Sequence, residues 1–149
     1  MKNILITGGA GFIGSHLTRH FSLNYSNYSI VNVDSLTYAS NIEYIKELDT
    51  LSNYKFFKGD IVDLKFMKKL FVRFDFDHII HLAAESHVDN SIKEPLKFTQ
   101  TNVIGTVNLL NLANEFWSQK KNKLFFHVST DEVYGSLGDN GSFTEESCY

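Results

Sequence analysis

Apolar residues along this chain gather in five short runs separated by stretches of helical spacing. The runs are Asn3–Thr7 (NILIT), Ser29–Asp34 (SIVNVD), Tyr54–Lys58 (YKFFK), His78–Leu82 (HIIHL) and Leu124–Ser129 (LFFHVS). They are too short for helices, and rich in β-branched and aromatic residues, so each predicts a strand, the first of them buried. Between the first two, Ile13, Leu17 and Phe21 recur at four-residue spacing, which predicts one face of a helix. Ile42–Leu48 predicts a short helix, and Leu64, Met67, Leu70 and Phe71 mark another. Pro95 suits the first turn of a long helix that runs to about Trp117. Val103, Val107 and Leu110 line one side of it, and Leu109, Leu112 and Phe116 broaden the stripe, so cover on two sides is expected. Strands that alternate with helices and are apolar throughout imply a parallel sheet shielded on both faces. Right-handed crossovers then give an α/β fold with a doubly wound, Rossmann-type sheet, whose ligands bind at the carboxyl ends of the strands.

Candidate chemistry falls at those ends. Gly8, Gly11 and Gly14 follow the first strand and open the first helix. Backbone without side chains can approach a pyrophosphate, and a helix N-terminus offers oriented N–H groups and partial positive charge. A glycine cluster alone is equally a tight turn. Asp34 changes the weight: it ends the second strand 20 residues after Gly14. A dinucleotide-binding unit places there the acid that accepts from the adenosine ribose hydroxyls. A carboxylate in that place repels a 2′-phosphate, and no Lys or Arg lies between Asp34 and Lys46, so NAD is expected over NADP.

Composition narrows the field. The 149 residues fit one domain, and 43% hydrophobic with 21% charged residues is a globular balance. A net charge of -3 argues against nucleic acid or a membrane surface as partner. Cys148 is the only cysteine, so no internal disulfide forms and a cytoplasmic setting is expected. No stretch approaches the roughly 20 apolar residues of a membrane helix. His16 and His20 have a possible metal-ligand spacing but no apparent third ligand, so no metal is expected.

Ile4–Gly14 (ILITGGAGFIG) resembles the opening of the extended short-chain dehydrogenase/reductases. Asp60-Ile61 resembles that family's adenine contact, and His81–Ser86 (HLAAES) its fourth-strand motif beside the nicotinamide. Three further stretches resemble the dTDP-glucose 4,6-dehydratase family within it: Asp34–Ala39 (DSLTYA), Ala83–Asp89 (AAESHVD) and Ser129–Gly135 (STDEVYG). Together these span nearly the whole chain. The resemblance implies backbone N–H groups of Phe12 and Ile13 on the phosphates, and Ser35, Leu36 and Thr37 around the adenosine. It implies Leu82, Ala83, Ala84, Glu85 and Ser86 along the nicotinamide side, with Thr101 as a further cofactor contact. Ser86 and Thr130 would also contact the substrate, dTDP-glucose.

The implied reaction oxidises the sugar at C4 by hydride transfer to NAD, eliminates water across C5 and C6, and returns the hydride to C6. Elimination needs an acid and a base with separated pKa values beside one sugar. By resemblance Asp131 is the acid and Glu132 the base, with Thr130 hydrogen-bonded to the reacting hydroxyl. Adjacent residues on a strand point to opposite faces, so the strand is expected to end before Thr130.

The family's Tyr-x-x-x-Lys motif is not in this sequence. The expectation is therefore an incomplete NAD-binding domain over residues 1–149, truncated after about five strands, lacking the substrate domain and inactive alone. For the complete enzyme the resemblance implies a homodimer built through the Pro95–Trp117 helix. Two alternatives stand beside this reading: a UDP-sugar epimerase or decarboxylase on the same scaffold, and a non-catalytic NAD-binding module.

Overall fold

A computed structural model describes residues 1–138 and 140–149, which include every candidate named above. Five strands, β1 (Lys2–Thr7), β2 (Tyr28–Asp34), β3 (Tyr54–Lys58), β4 (His78–His81) and β5 (Leu124–His127), form one parallel sheet. Their order is β3-β2-β1-β4-β5. The chain winds outward from β1 to β3, then returns to add β4 on the other side of β1. The crevice beyond β1 and β4 is therefore the topological switch point, where this fold binds ligands.

Alternation along the central strands feeds two cores. Ile4, Ile6 and Ile30 point to one face and pack with Ala10, Ile45, Leu48 and Tyr54. Leu5, Val31, Val33 and Ile79 point to the other, under α2 (Leu64–Phe74) and α5 (Thr106–Trp117).

α1 (Phe12–Asn24) buries a different stripe from the one its large residues predict. Gly14, Ser15, Thr18 and Ser22 face the sheet, while Ile13 is 62% exposed. Small side chains let the helix lie close on the sheet, and Leu17 and Phe21 pack along its flank. Ile42–Leu48 is not one helix but parts of two 3-10 turns, Ile42–Tyr44 and Lys46–Thr50, moored by buried Ile45 and Leu48.

The long helix forms as one continuous run from Pro95 to Trp117, but with a change of pitch inside it. After the short helix α3 (Val88–Lys93), Pro95 opens α4 (Pro95–Phe98), a π-helical segment follows over Thr99–Gly105, and α5 completes the run. Thr99 Oγ1 donates to Pro95 O and Thr106 Oγ1 to Asn102 O, so side chains compete for helix carbonyls at both ends of the π segment. Leu109 and Leu112 are buried against the sheet side, but Val103, Val107 and Leu110 are exposed. The expected second cover is absent among the described residues.

β4 and β5 stop one and two residues short of their predicted ends. Leu82 N–H still donates to Thr7 O and Val128 N–H to His81 O, after which both chains turn outward. Thr130 thus lies beyond the strand, as the pairing of Asp131 with Glu132 requires.

Candidate functional site

The turn after β1 is shaped by what glycine alone permits. Gly8 has φ +76°, and a Cβ on it would sit 2.6 Å from Ala83 N in the loop after β4. A Cβ on Gly14 would meet Gly8 O at 2.0 Å, so α1 begins pressed onto the turn. Gly11 is the N-cap and offers no side-chain cap, and the first turn of α1 carries no acid. Ser15 N–H returns to Gly11 O, but Phe12 and Ile13 keep their N–H groups free for an anion.

Asp34 closes the other side of this turn. One carboxylate oxygen accepts from Ala10 N–H at 2.9 Å, the other from Leu36 N–H and Ser40 Oγ, both at 2.8 Å. The residue is only 5% exposed. An ionised carboxylate has about four acceptor positions, so three bonds leave room for a ribose hydroxyl. Leu36 adopts φ 56° to deliver its N–H, and its side chain turns into the core rather than toward the ligand.

A cavity of about 350 Å³ opens between these parts. Gly8, Gly11, Phe12, Ile13 and Gly14 form its floor, with Asp34, Ser35 and Thr37 on the β2 side. Asp60 and Ile61 line it after β3, and Leu82, Ala83, Ala84, Glu85 and Ser86 after β4, with Thr101 from the π segment. Leu36 is not in the lining, and neither are Thr130, Asp131 and Glu132. Those three are exposed, with Asp131 and Glu132 in a 3-10 turn, Asp131–Tyr134. Val128, just before them, does line the cavity, so β5 delivers the turn to its rim.

Sequence reasoning missed Ser40, Ala39, Val33, Gly59 and Val128 in the lining. It also missed two asparagines that hold lining loops from behind. Asn102 accepts from Glu85 N–H at 2.9 Å and donates to Glu85 O at 2.8 Å. Asn108 Nδ2 donates to Ile61 O and Val62 O. Polar residues beside an apolar helical stripe were the available signal.

Beneath the cavity, His81 is 1% exposed. Its Nδ1 is 2.7 Å from Thr7 Oγ1 and its Nε2 3.0 Å from Thr106 Oγ1, which ties β1, β4 and α5 together. Burial, aided by the neighbouring His127, pulls its pKa down to about 4, so it is a neutral strut. Among the described residues no group of three or more His, Cys, Asp or Glu could hold a metal, and no helix is long and apolar enough to cross a membrane.

Comparison with known proteins agrees with this geometry. Residues 5–149 match the sequence profile of the family described as GDP-mannose 4,6 dehydratase. A probable dTDP-glucose 4,6-dehydratase of Sinorhizobium fredii is 52% identical over 98% of this chain, which spans 43% of that protein's length. The crystal structure of the dTDP-glucose 4,6-dehydratase of Bacillus anthracis in complex with NAD matches 99% of the chain and 44% of its own, with TM-score 0.84 and 40% identity. The UDP-Glc/GlcNAc 4-epimerase of Campylobacter jejuni matches 99% of the chain and 43% of its own, with TM-score 0.82 and 36% identity. The chain thus spans less than half the length of each of these relatives.

Proposed function

Because the chain belongs to the GDP-mannose 4,6 dehydratase family, we propose that it is the NAD-binding part of a dTDP-glucose 4,6-dehydratase. The observation that carries the cofactor is the pairing of an uncapped helix N-terminus at Gly11–Ile13 with a buried carboxylate at Asp34, across one cavity. Bound there, NAD supplies a reversible hydride acceptor. The chain's own residues hold it: free N–H groups of Phe12 and Ile13 face the diphosphate, and Asp34 accepts from the adenosine ribose. Asp60 and Ile61 border the adenine, Leu82 to Ser86 and Thr101 the nicotinamide half. Ser86 and Thr130 orient the sugar.

Asp131 and Glu132 favour dehydration over epimerisation. Removing water from C5 and C6 needs a proton donor and a proton acceptor beyond the oxidation step, and epimerisation does not. Both side chains are exposed in this chain. Bound sugar and surrounding protein must therefore complete the environment in which the two carboxyl groups act. The complete enzyme is a homodimer in this reading, with the exposed side of α5 in the interface.

Mass spectrometry of the product formed from dTDP-glucose by the enzyme that carries this chain tests the reaction. A product lighter by one water is expected. A product of unchanged mass that separates from dTDP-glucose on chromatography identifies an epimerase. NAD titration of the chain tests the module beneath both, and no binding would refute the cofactor assignment.

A further inference from the structure

Glu85 is the one acid inside the loop after β4 that lines the cavity, yet its carboxylate turns away from the diphosphate side. It is 6% exposed, and its Oε1 lies 2.8 Å from Lys97 Nζ, in α4. The same ammonium stands 5.5 Å from the centre of the Tyr38 ring. Tyr38 belongs to the loop after β2, between Thr37 and Ala39, which both line the cofactor cavity. A second cavity of about 270 Å³ lies behind, lined by Tyr38, Glu85, Lys97 and Phe98 among others, so Glu85 forms the wall between the two. One lysine therefore touches both lips of the cleft: the adenosine-side loop through an aromatic face and the nicotinamide-side loop through a buried carboxylate.

We propose that Glu85, Lys97 and Tyr38 form a strap that holds the two lips together and sets how slowly the dinucleotide leaves. The three are positioning residues, acting through the loops they join. This rests on the NAD reading above. A buried carboxylate that loses its only cation is costly to keep ionised, whereas an exposed ion pair contributes little. Here one partner is buried and the other is half out, so the pair is asymmetric. Glu85 depends on Lys97, and Lys97, whose pKa the Glu85 hydrogen bond raises, stays charged at any physiological pH. Asn102 already fixes the backbone of Glu85 at both N–H and C=O. The carboxylate is thus free of the task of shaping its own loop and serves to reach the other one. On the far lip Tyr38 is 58% exposed, so its ring is held by little besides Lys97 and the edge of His87.

The test is the rate at which NADH leaves the chain, followed by its fluorescence after dilution into excess NAD. Tyr38→Leu removes the aromatic face and nothing from the core, so thermal stability should be unchanged. Its NADH release should quicken about 3- to 10-fold, the scale of a partly desolvated cation–π contact. Tyr38→Phe keeps the ring face and should release at the wild-type rate. Lys97→Met should release faster still, while Lys97→Arg, which keeps charge and stacking, should not. Should Lys97→Met fold poorly, Glu85→Gln with Lys97→Met removes both charges and should show the same fast release. Wild-type rates in Tyr38→Leu and in the double variant would overturn the strap but leave cofactor binding standing. No NADH binding by the unmodified chain would overturn both.

Discussion

At the residue scale, Asp34 does two jobs with one carboxylate. It organises the site through Ala10, Leu36 and Ser40, and in the proposed NAD site its remaining acceptor position would take a ribose hydroxyl. Asp34→Asn keeps an acceptor but exchanges the charge for a donor aimed at groups that are themselves donors. Hydrogen bonds to charged groups are worth about 1.5–3 kcal/mol, so NAD affinity should fall roughly 10- to 100-fold. NADP should lose less, because the repulsion of its 2′-phosphate is relieved at the same time. Parallel titrations with the two dinucleotides check this, and an unchanged preference for NAD would show that Asp34 does not read the ribose. Asp34 was legible because strand, glycines and spacing all converge on it. Ser40 was not, since nothing in a loop sequence announces which hydroxyl folds back onto a residue six positions earlier.

Among the elements, the strands were legible and the long helix was only partly so. Burial on both faces leaves an unbroken apolar signal in the central strands, and all five strands sit within two residues of expectation, although β5 at the sheet edge is mostly exposed rather than buried. Helix faces are harder to read. In α1 the sheet selects small residues for close approach, so large apolar residues no longer mark the buried side. Within Pro95–Trp117, apolar spacing is nearly the same for π and α turns over so short a stretch. The π segment is defined by its own backbone over Thr99–Gly105, and its residues make contacts that apolar spacing does not encode. These contacts give the segment a purpose: Thr101 and Asn102 reach the site from it, and Gly105 ends it against Ile61. A Cβ on Gly105 would lie 2.5 Å from the Ile61 side chain, which lines the cavity. Gly105→Ala should therefore overpack this contact, cost about 1–3 kcal/mol in urea unfolding, and weaken NAD binding as Ile61 shifts. Gly138→Ala, where a Cβ would have nothing within 4 Å, is the control and should do neither. Equal stability of the two variants would mean that Ile61 yields freely and that the close approach of the π segment is not what positions it.

For the molecule as a whole, the neutral strut under the site and the bare flank of the long helix make separate demands. His81 joins three elements and holds a pKa of about 4, against 6.5 for an ordinary histidine. Between those values the unfolded chain takes up a proton that the folded chain refuses. Stability from this group is therefore whole above pH 6.5 and drains as pH falls toward 4, by about 1.4 kcal/mol for each pH unit. Urea unfolding at pH 7 and pH 5 should differ by about 2 kcal/mol on this account, and His81→Gln should flatten that difference while lowering stability at pH 7. The helix flank acts on association instead. Val103, Val107 and Leu110 are 52%, 44% and 47% exposed, and they lie along one side of the run that also presents Leu96 at 77%. A contiguous apolar strip of this kind on a surface helix is characteristic of an interface. Burying it against a second copy satisfies the apolar pattern that the sheet leaves unused. Sedimentation of the chain at micromolar concentrations should show self-association. Val107→Lys with Leu110→Glu should abolish it without loss of thermal stability, because neither side chain supports the core. A wild-type chain that stays monomeric at those concentrations would exclude this flank as sufficient for pairing.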